Sequence, residues 1–268
     1  MQTTYTFDTF EDNLKLTEIE RLTKNVDSHS KTITDIFLNH GLIHSSKVLD
    51  VGCGTGAMLH LFADMLPQAE FIGIDSSKDI LTNLECKQQN NVTVLQAEAT
   101  ALPFEDNTFD FVYTRLVLMH NQQPENIIQE MRRVCKPKGT IICVDVDDET
   151  MIFYPFAHEF SELIRANVQY SKMNGTDRLI GRKLFSLYKS VGIENLKVVT
   201  DTSDFTGFYD EIPFPLRLAL GSEQARHLVQ EQLITEAQRI DLVQKVKIFC
   251  QDANRFYSGS FFYCIGTK

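Results

Sequence analysis

Residues 48–56 read Val-Leu-Asp-Val-Gly-Cys-Gly-Thr-Gly. An apolar run delivers one carboxylate, Asp50, and then Gly52, Gly54 and Gly56, with Cys53 inside the turn. Glycine accepts left-handed backbone and carries no Cβ, so a ligand can lie directly on the chain there. A helix that follows points its first N–H groups at that ligand. Asp75-Ser76 closes a second apolar run, where a carboxylate can accept both hydroxyls of a ribose. Glu98-Ala99 closes a third run and Arg115 a fourth. His120 follows Leu116-Val117-Leu118-Met119, and an imidazole with an ordinary pKa near about 6.5 suits a general base. Its structural alternative is a cap on a turn packed under a sheet. Asp145 ends a fifth run, and Tyr154 and His158 lie in an aromatic segment beyond it. These three are candidates for contact with a substrate, against the plainer roles of loop cap and packing.

The elements between these residues alternate. Lys47–Val51, Glu70–Ile74, Val92–Gln96, Phe109–Thr114 and Thr140–Val146 read as strands. Ala57–Leu66, a stretch capped by Ser76 and running to Gln89 (with Leu84 facing in), and a helix opened by Pro124 read as the connecting helices. That rhythm predicts parallel βαβ units in an open, doubly wound α/β sheet, with the glycine turn at the crevice where the strand order reverses. Residues 14–43 read as helical and stop at Gly41. The chain beyond residue 150 is less regular: helical over 151–190 and 217–252, with strands at Leu196–Thr200 and Phe256–Thr267. The organisation expected is an N-terminal helical lid (1–45), a ligand-binding core (46–150), and a remainder of the sheet with helical substrate-cap insertions (151–268). Tyr5, Phe7 and Phe10 read first as ordinary packing residues, with membership of the lid as the alternative.

The glycine turn alone is weak evidence, since Gly52, Gly54 and Ala57 also fit a loose dinucleotide fingerprint. The ordered set VLDVGCGTG, FIGIDSS, AEATALPFEDNTFDFVYTR and RRVCKPKGTIICVD is more specific. In this combination, over about Lys47 to Asp147, the chain resembles class I S-adenosylmethionine-dependent methyltransferases of the small-molecule type. The resemblance implies a Rossmann-like, seven-stranded, mostly parallel sheet whose last strand, here Phe256–Thr267, runs antiparallel. It implies S-adenosylmethionine as cofactor. Asp50 would orient the glycine loop and the amino end of the methionine moiety, with Gly52, Gly54 and Gly56 along that moiety. Asp75 would hold the ribose, Ser76 would flank the adenine, and Glu98 would face the adenine amino group where the family more often has Asp. Ala99 would donate from its backbone, and Arg115 would touch the cofactor through its own. Cys53 is usual at its place in the family and is assigned no redox role. Lys138-Gly139 stands where the family more often has Gly-Gly.

A sulfonium methyl leaves by in-line displacement, so such a protein supplies position and alignment, and a base only where the acceptor must lose a proton. The acceptor is expected to be a small molecule, apolar or aromatic, given the aromatic residues of 153–170 and 205–214. The net charge of −10 repels phosphate backbones and excludes nucleic acid as the expected partner. The densest basic stretch is Arg132, Arg133, Lys136 and Lys138. No apolar run is long enough to span a bilayer and no secretory leader is evident, so a cytoplasmic protein without a membrane partner is expected. The six cysteines lack metal or disulfide spacing, so no metal is expected. The helix around Gln224 to Gln251 is open to two readings, a homodimer surface or a lid. Two competing functions stand beside methyl transfer: a fold that binds the cofactor for a cyclase-like or purely binding role, and an NAD(P) oxidoreductase, for which no acid pair is found at the matching place.

Overall fold

The computed structural model describes residues 3–5, 7–9, 11–44, 46–82, 89–204, 216 and 223–268. Phe10, Leu84, Cys86 and the aromatic stretch 205–214 lie outside the described residues. Five parallel strands form the frame: β1 (Lys47–Val51), β2 (Glu70–Asp75), β3 (Val92–Gln96), β4 (Phe109–Arg115) and β5 (Cys135–Val146). Their spatial order is β3-β2-β1-β4-β5. The order reverses between β1 and β4, which opens the crevice at the carboxyl ends of those two strands. Helices α2 (Ala57–Met65), α3 (Lys78–Thr82) and α4 (Pro124–Val134) follow β1, β2 and β4. Ser77, not Ser76, caps α3: its hydroxyl accepts the Ile80 N–H at 3.1 Å.

The antiparallel edge matches expectation and adds one piece. β8 (Phe256–Thr267) pairs with β5 on one side and with β7 (Glu194–Asp204) on the other. β6 (Ile152–Tyr154) pairs with the start of β8, in line with the end of β5. Seven full strands and this three-residue eighth make up the sheet among the described residues. Three residues are too few for an alternation to show, which is why β6 reads as helix in sequence. β7 outgrows its expected span because β8 offers it a long ladder.

α1 (Asp12–Asn39) is one unbroken helix, ended by Gly41 at φ +104°. Its second half is core: Phe37 stacks on Phe62 at 5.1 Å and meets Tyr113 edge-on at 5.1 Å. Its first half, where Leu14 and Leu16 are exposed, reaches over the carboxyl rim of the sheet. α4 and α6 (Leu184–Ser190) cover the opposite face through Ile127, Met131, Leu187 and Tyr188. The remaining helices, α5 (Ala157–Met173), α7 (Glu223–Gln230) and α8 (Glu236–Gln251), build a separate core with β6. There Phe153 packs on Phe160 at 5.4 Å, and Phe160 on Phe249 at 5.4 Å. The aromatics of 153–160 are therefore largely consumed in holding the cap together. Carboxylates neutralise part of the basic stretch: Arg133 forks onto Glu130 at 2.8 Å and Asp106 at 2.9 Å, and Lys136 pairs with Asp110 at 2.7 Å. No described helix is long and apolar enough to cross a membrane.

Candidate active site

The crevice begins at the end of β1. Asp50 is 2% exposed and lies beside Tyr113 of β4, whose hydroxyl donates to Asp50 Oδ2 at 2.8 Å. Burial pushes the Asp50 carboxyl up to about 7, and the Tyr113 bond works against that rise. The chain then turns back on β2, with the Gly52 and Cys53 N–H groups donating to the Ile74 carbonyl at 2.8 and 2.9 Å. Gly52 sits at φ +78°, and a Cβ there would lie 2.4 Å from Val117 Cγ2. Only glycine lets the loop after β4 close onto the loop after β1. Gly54 differs: a Cβ there would meet only Ile80 Cδ1, at 3.8 Å, so its bare backbone faces open space. Gly56, also left-handed at φ +75°, opens α2 and aims its amino end at that space.

Asp75 stands across from the loop. Its Oδ2 accepts the Gly54 N–H at 3.0 Å and its Oδ1 the Ser77 N–H at 2.9 Å. Each oxygen keeps a lone pair for a further donor. Burial raises this carboxyl from the ordinary range, against those two bonds. Ser76 is half-buried, with its carbonyl accepting from the Gln96 amide at 3.0 Å. Glu98 is exposed and Ala99 half-buried at the end of β3. The loop after them is clamped from α4: Glu130 accepts the Leu102 N–H at 2.8 Å, and Arg133 donates to the carbonyls of Leu102 (2.9 Å) and Phe104 (2.7 Å).

The rim after β4 carries the candidate base. Leu116 takes φ +60°, a left-handed strain for a bulky residue, before a 3-10 turn over Leu118–His120. Asp145 holds this turn. It is 0% exposed, and its oxygens accept the Met119 N–H at 3.2 Å and the Val146 N–H at 2.9 Å. These two bonds give Asp145 the role of a loop anchor, its plainer reading. Burial pushes the Asp145 carboxyl up to about 7. His120 is half-buried, and burial with the nearby Arg178 and Arg21 charges pushes its imidazole down to about 4. The ring is neutral at physiological pH and able to accept a proton. Tyr154 and His158 sit elsewhere. Tyr154 is 64% exposed on β6, and His158 is exposed on α5, 3.5 Å from Glu162. They belong to the outer surface of the cap, because the inward positions of that segment are taken by Phe153 and Phe160.

Residues 3–5 and 7–9 bond to the two walls of the crevice. The Thr4 N–H donates to the His120 carbonyl at 3.0 Å, and its hydroxyl lies 3.1 Å from His120 Nδ1 and 2.7 Å from the Thr176 hydroxyl. The Tyr5 ring packs 5.3 Å from the imidazole, and its hydroxyl donates to Glu18 at 2.8 Å. Phe7 is buried, and Asp8 accepts from the Ser77 hydroxyl beside Asp75. Sequence reading named Tyr5 and Phe7 but not Thr4, Asp8 or Tyr113. It also missed Arg178, paired with Asp148 at 2.8 Å, and Arg182, paired with Asp147. The acidic run Asp145–Glu149 was the available signal, since buried carboxylates call for cations or hydrogen-bond donors from elsewhere in the chain.

Residues 44–199, more than half of the chain, match the family model described as a methyltransferase domain. The chain belongs to that methyltransferase family. It is 33% identical over 150 residues to an uncharacterized methyltransferase of Schizosaccharomyces pombe, covering 52% of this chain and 54% of that one. It is 38% identical over 112 residues to a demethylmenaquinone methyltransferase of Bacillus cereus, covering 40% of this chain and 47% of that one. The chain thus spans about half the length of the curated relatives it matches. A putative methyltransferase of Bacillus halodurans shares the fold, with a TM-score of 0.58 at 20% identity, covering 88% of this chain and 97% of that one. Membership of that family implies S-adenosylmethionine as the cofactor.

The residues of the crevice fit that cofactor. Gly54 leaves a bare, open stretch of backbone, α2 presents its amino end, and both Asp75 oxygens retain acceptor capacity at the position of a ribose. When bound, the cofactor supplies an electrophilic methyl group on a sulfonium sulfur. The methyltransferase would hold it with Gly52, Gly54, Gly56 and Asp50 at the amino-acid end, with Asp75 at the sugar, and with Ser76, Glu98 and Ala99 around the base. Arg115 and His120 lie at the same rim, with Thr4 bonded to His120 and Asp8 to Ser77.

Proposed function

We propose that this methyltransferase moves the methyl group by in-line displacement onto an oxygen, nitrogen or carbon atom of a small, apolar or aromatic metabolite. The observation that carries the reading is how residues 3–5 and 7–9 cover the crevice, Thr4 bonding to His120 at one wall and Asp8 to Ser77 at the other. A crevice covered in this way favours a small acceptor over a macromolecule, and the net charge of −10 disfavours nucleic acid. His120, neutral and at the rim, serves as the base when the acceptor must lose a proton. The aromatic character of the acceptor draws support from the similarity to demethylmenaquinone methyltransferases, whose name specifies a quinone-type substrate. The first forty-five residues act as the lid and the helices after residue 150 as the cap. The test is to incubate the protein with trideuteromethyl-labelled cofactor and a metabolite extract. Small molecules that gain the labelled methyl, and only with active protein, support the proposal. Label confined to nucleic acid or protein, or no labelled product despite measurable cofactor binding, contradicts it.

A further inference from the structure

A second polar site lies next to the crevice, between the first half of α1 and the antiparallel edge of the sheet. Arg115, the last residue of β4, runs its side chain toward β8 and lies 5.2 Å from the centre of the Phe261 ring. Its Nη2 donates to Asn25 Oδ1 on α1 at 2.5 Å. One turn on, His29 packs edge-on against the same Phe261 ring at 4.9 Å. The strand ladders bring in two more groups. Val144 is the register partner of both Arg115 and Tyr263, and Phe261 is the partner of Asp201. Arg115, Asp201, Phe261 and Tyr263 therefore share one region of one sheet face, roofed by Asn25 and His29.

Three atoms of this cluster are sealed from solvent and have no hydrogen-bond partner: Arg115 Nε, Asp201 Oδ2 and the Tyr263 hydroxyl oxygen. The charges of Arg115, Asp201 and Tyr263 act on one another, yet these atoms do not bond together. Folded proteins keep buried polar atoms paired, so such a set calls for a water or a ligand to complete it. The set holds one obligate donor, one acceptor and one hydroxyl that can do either, beside an aromatic face. The position is also pointed. Arg115 interacts electrostatically with Asp50, and the residues just after it press on Gly52. The cluster thus abuts the amino-acid end of the cofactor crevice.

We infer that this cluster receives the polar end of the methyl acceptor, and that the acceptor is a planar ring bearing two adjacent oxygen functions, at least one of them a hydroxyl. That hydroxyl donates to Asp201, the neighbouring oxygen accepts from Arg115 Nε and the Tyr263 hydroxyl, and the ring lies against Phe261. The inference rests on the small-molecule reading above and narrows its acceptor class.

The experiment uses the full chain saturated with S-adenosylhomocysteine, so that no turnover occurs, and titrates catechol against its dimethyl ether, veratrole, by calorimetry. Catechol should bind saturably, and veratrole about tenfold more weakly or worse, because it has no proton to give. Tyr263→Phe and Asp201→Asn should each weaken catechol by about tenfold. Tyr263→Phe removes one unpaired oxygen and opens no packing defect. S-adenosylhomocysteine binding, measured alongside, reports that each variant is folded. Equal binding of the two probes, no saturable catechol binding, or variants that bind catechol as the parent does would each overturn the inference and leave the cluster a site for ordered water. The two readings fail separately. Catechol bound here with no labelled small molecule in the transfer assay contradicts the proposed function alone, whereas a labelled product with no catechol binding contradicts the role of the cluster alone.

Discussion

Removing the carboxylate of Asp75 should cost the methyltransferase most of its grip on the sugar of the cofactor. Its two oxygens already accept the Gly54 and Ser77 N–H groups, at 3.0 and 2.9 Å, so the side chain is fixed before any ligand arrives. The remaining lone pairs are the ones available to ribose hydroxyls. Hydrogen bonds to a charged acceptor contribute about 1.5–3 kcal/mol. At about 1.4 kcal/mol per decade, Asp75→Ala should raise the dissociation constant of S-adenosylhomocysteine by roughly ten- to a hundredfold. Asp75→Asn keeps one oxygen and the shape, so its loss should be smaller. The Ala variant also leaves the Gly54 and Ser77 donors unpaired, so a lower melting temperature is expected in the empty protein, and affinity must be measured well below it. Isothermal calorimetry on the three proteins settles the matter. Affinity within twofold of the parent for Asp75→Ala refutes the sugar assignment, because another group would then be carrying those hydroxyls.

Four further outcomes follow from particular contacts. Gly52→Ala should destabilise the fold by about 2–4 kcal/mol, from left-handed strain at φ +78° plus the Val117 clash. Adding Val117→Ala should recover only the clash in chemical denaturation, and full recovery would show that the backbone is unstrained. Because burial raises the Asp145 carboxyl to about 7, the folded state holds a proton that the unfolded chain releases near about 4. Wild-type stability should therefore fall as pH rises from about 4 to 7, by up to about 4 kcal/mol from this group. In Asp145→Asn that part of the slope should vanish, and identical pH profiles by thermal melting would contradict the assignment. His120→Ala should lower turnover by about a hundredfold or more with cofactor affinity nearly unchanged. Since the imidazole is pushed down to about 4, the parent rate should show no acid limb near pH 6.5, and one centred there would mean that His120 is open to solvent during turnover. Tyr113→Phe should weaken cofactor binding modestly and push the Asp50 carboxyl further up, which a carbon-detected titration would read. An unmoved Asp50 would place its control elsewhere.

Local pattern carried the parallel half of the fold far. The span of β8 was legible to the residue because the polar turn at 252–255 marks its start, and α4 because Pro124 marks its own. The glycine turn and Asp75 were legible because their chemistry is contiguous in sequence. What stayed hidden is non-local. The Tyr113 bond to Asp50 depends on the register of β4 on β1, and the meeting of Arg115, Asp201 and Tyr263 depends on two antiparallel ladders, which no window of sequence displays. The aromatic stretch 153–160 reads as a pocket wall from composition. Phe153 and Phe160 instead pack on each other and on Phe249, inside the core that the cap helices form. Lys138 shows the same limit in miniature. It occupies a left-handed turn at φ +66° that glycine fits better, held by its N–H bond to the Lys268 carbonyl at 2.9 Å from the far end of the chain.

A crystal structure of the protein grown with S-adenosylhomocysteine tests the central assignment most directly. The product should lie with its sugar on Asp75, its amino-acid end along Gly52–Gly56 and its thioether facing the rim between Arg115 and His120. Product found at another place in the fold, or an empty crevice at saturating concentration, would contradict the account.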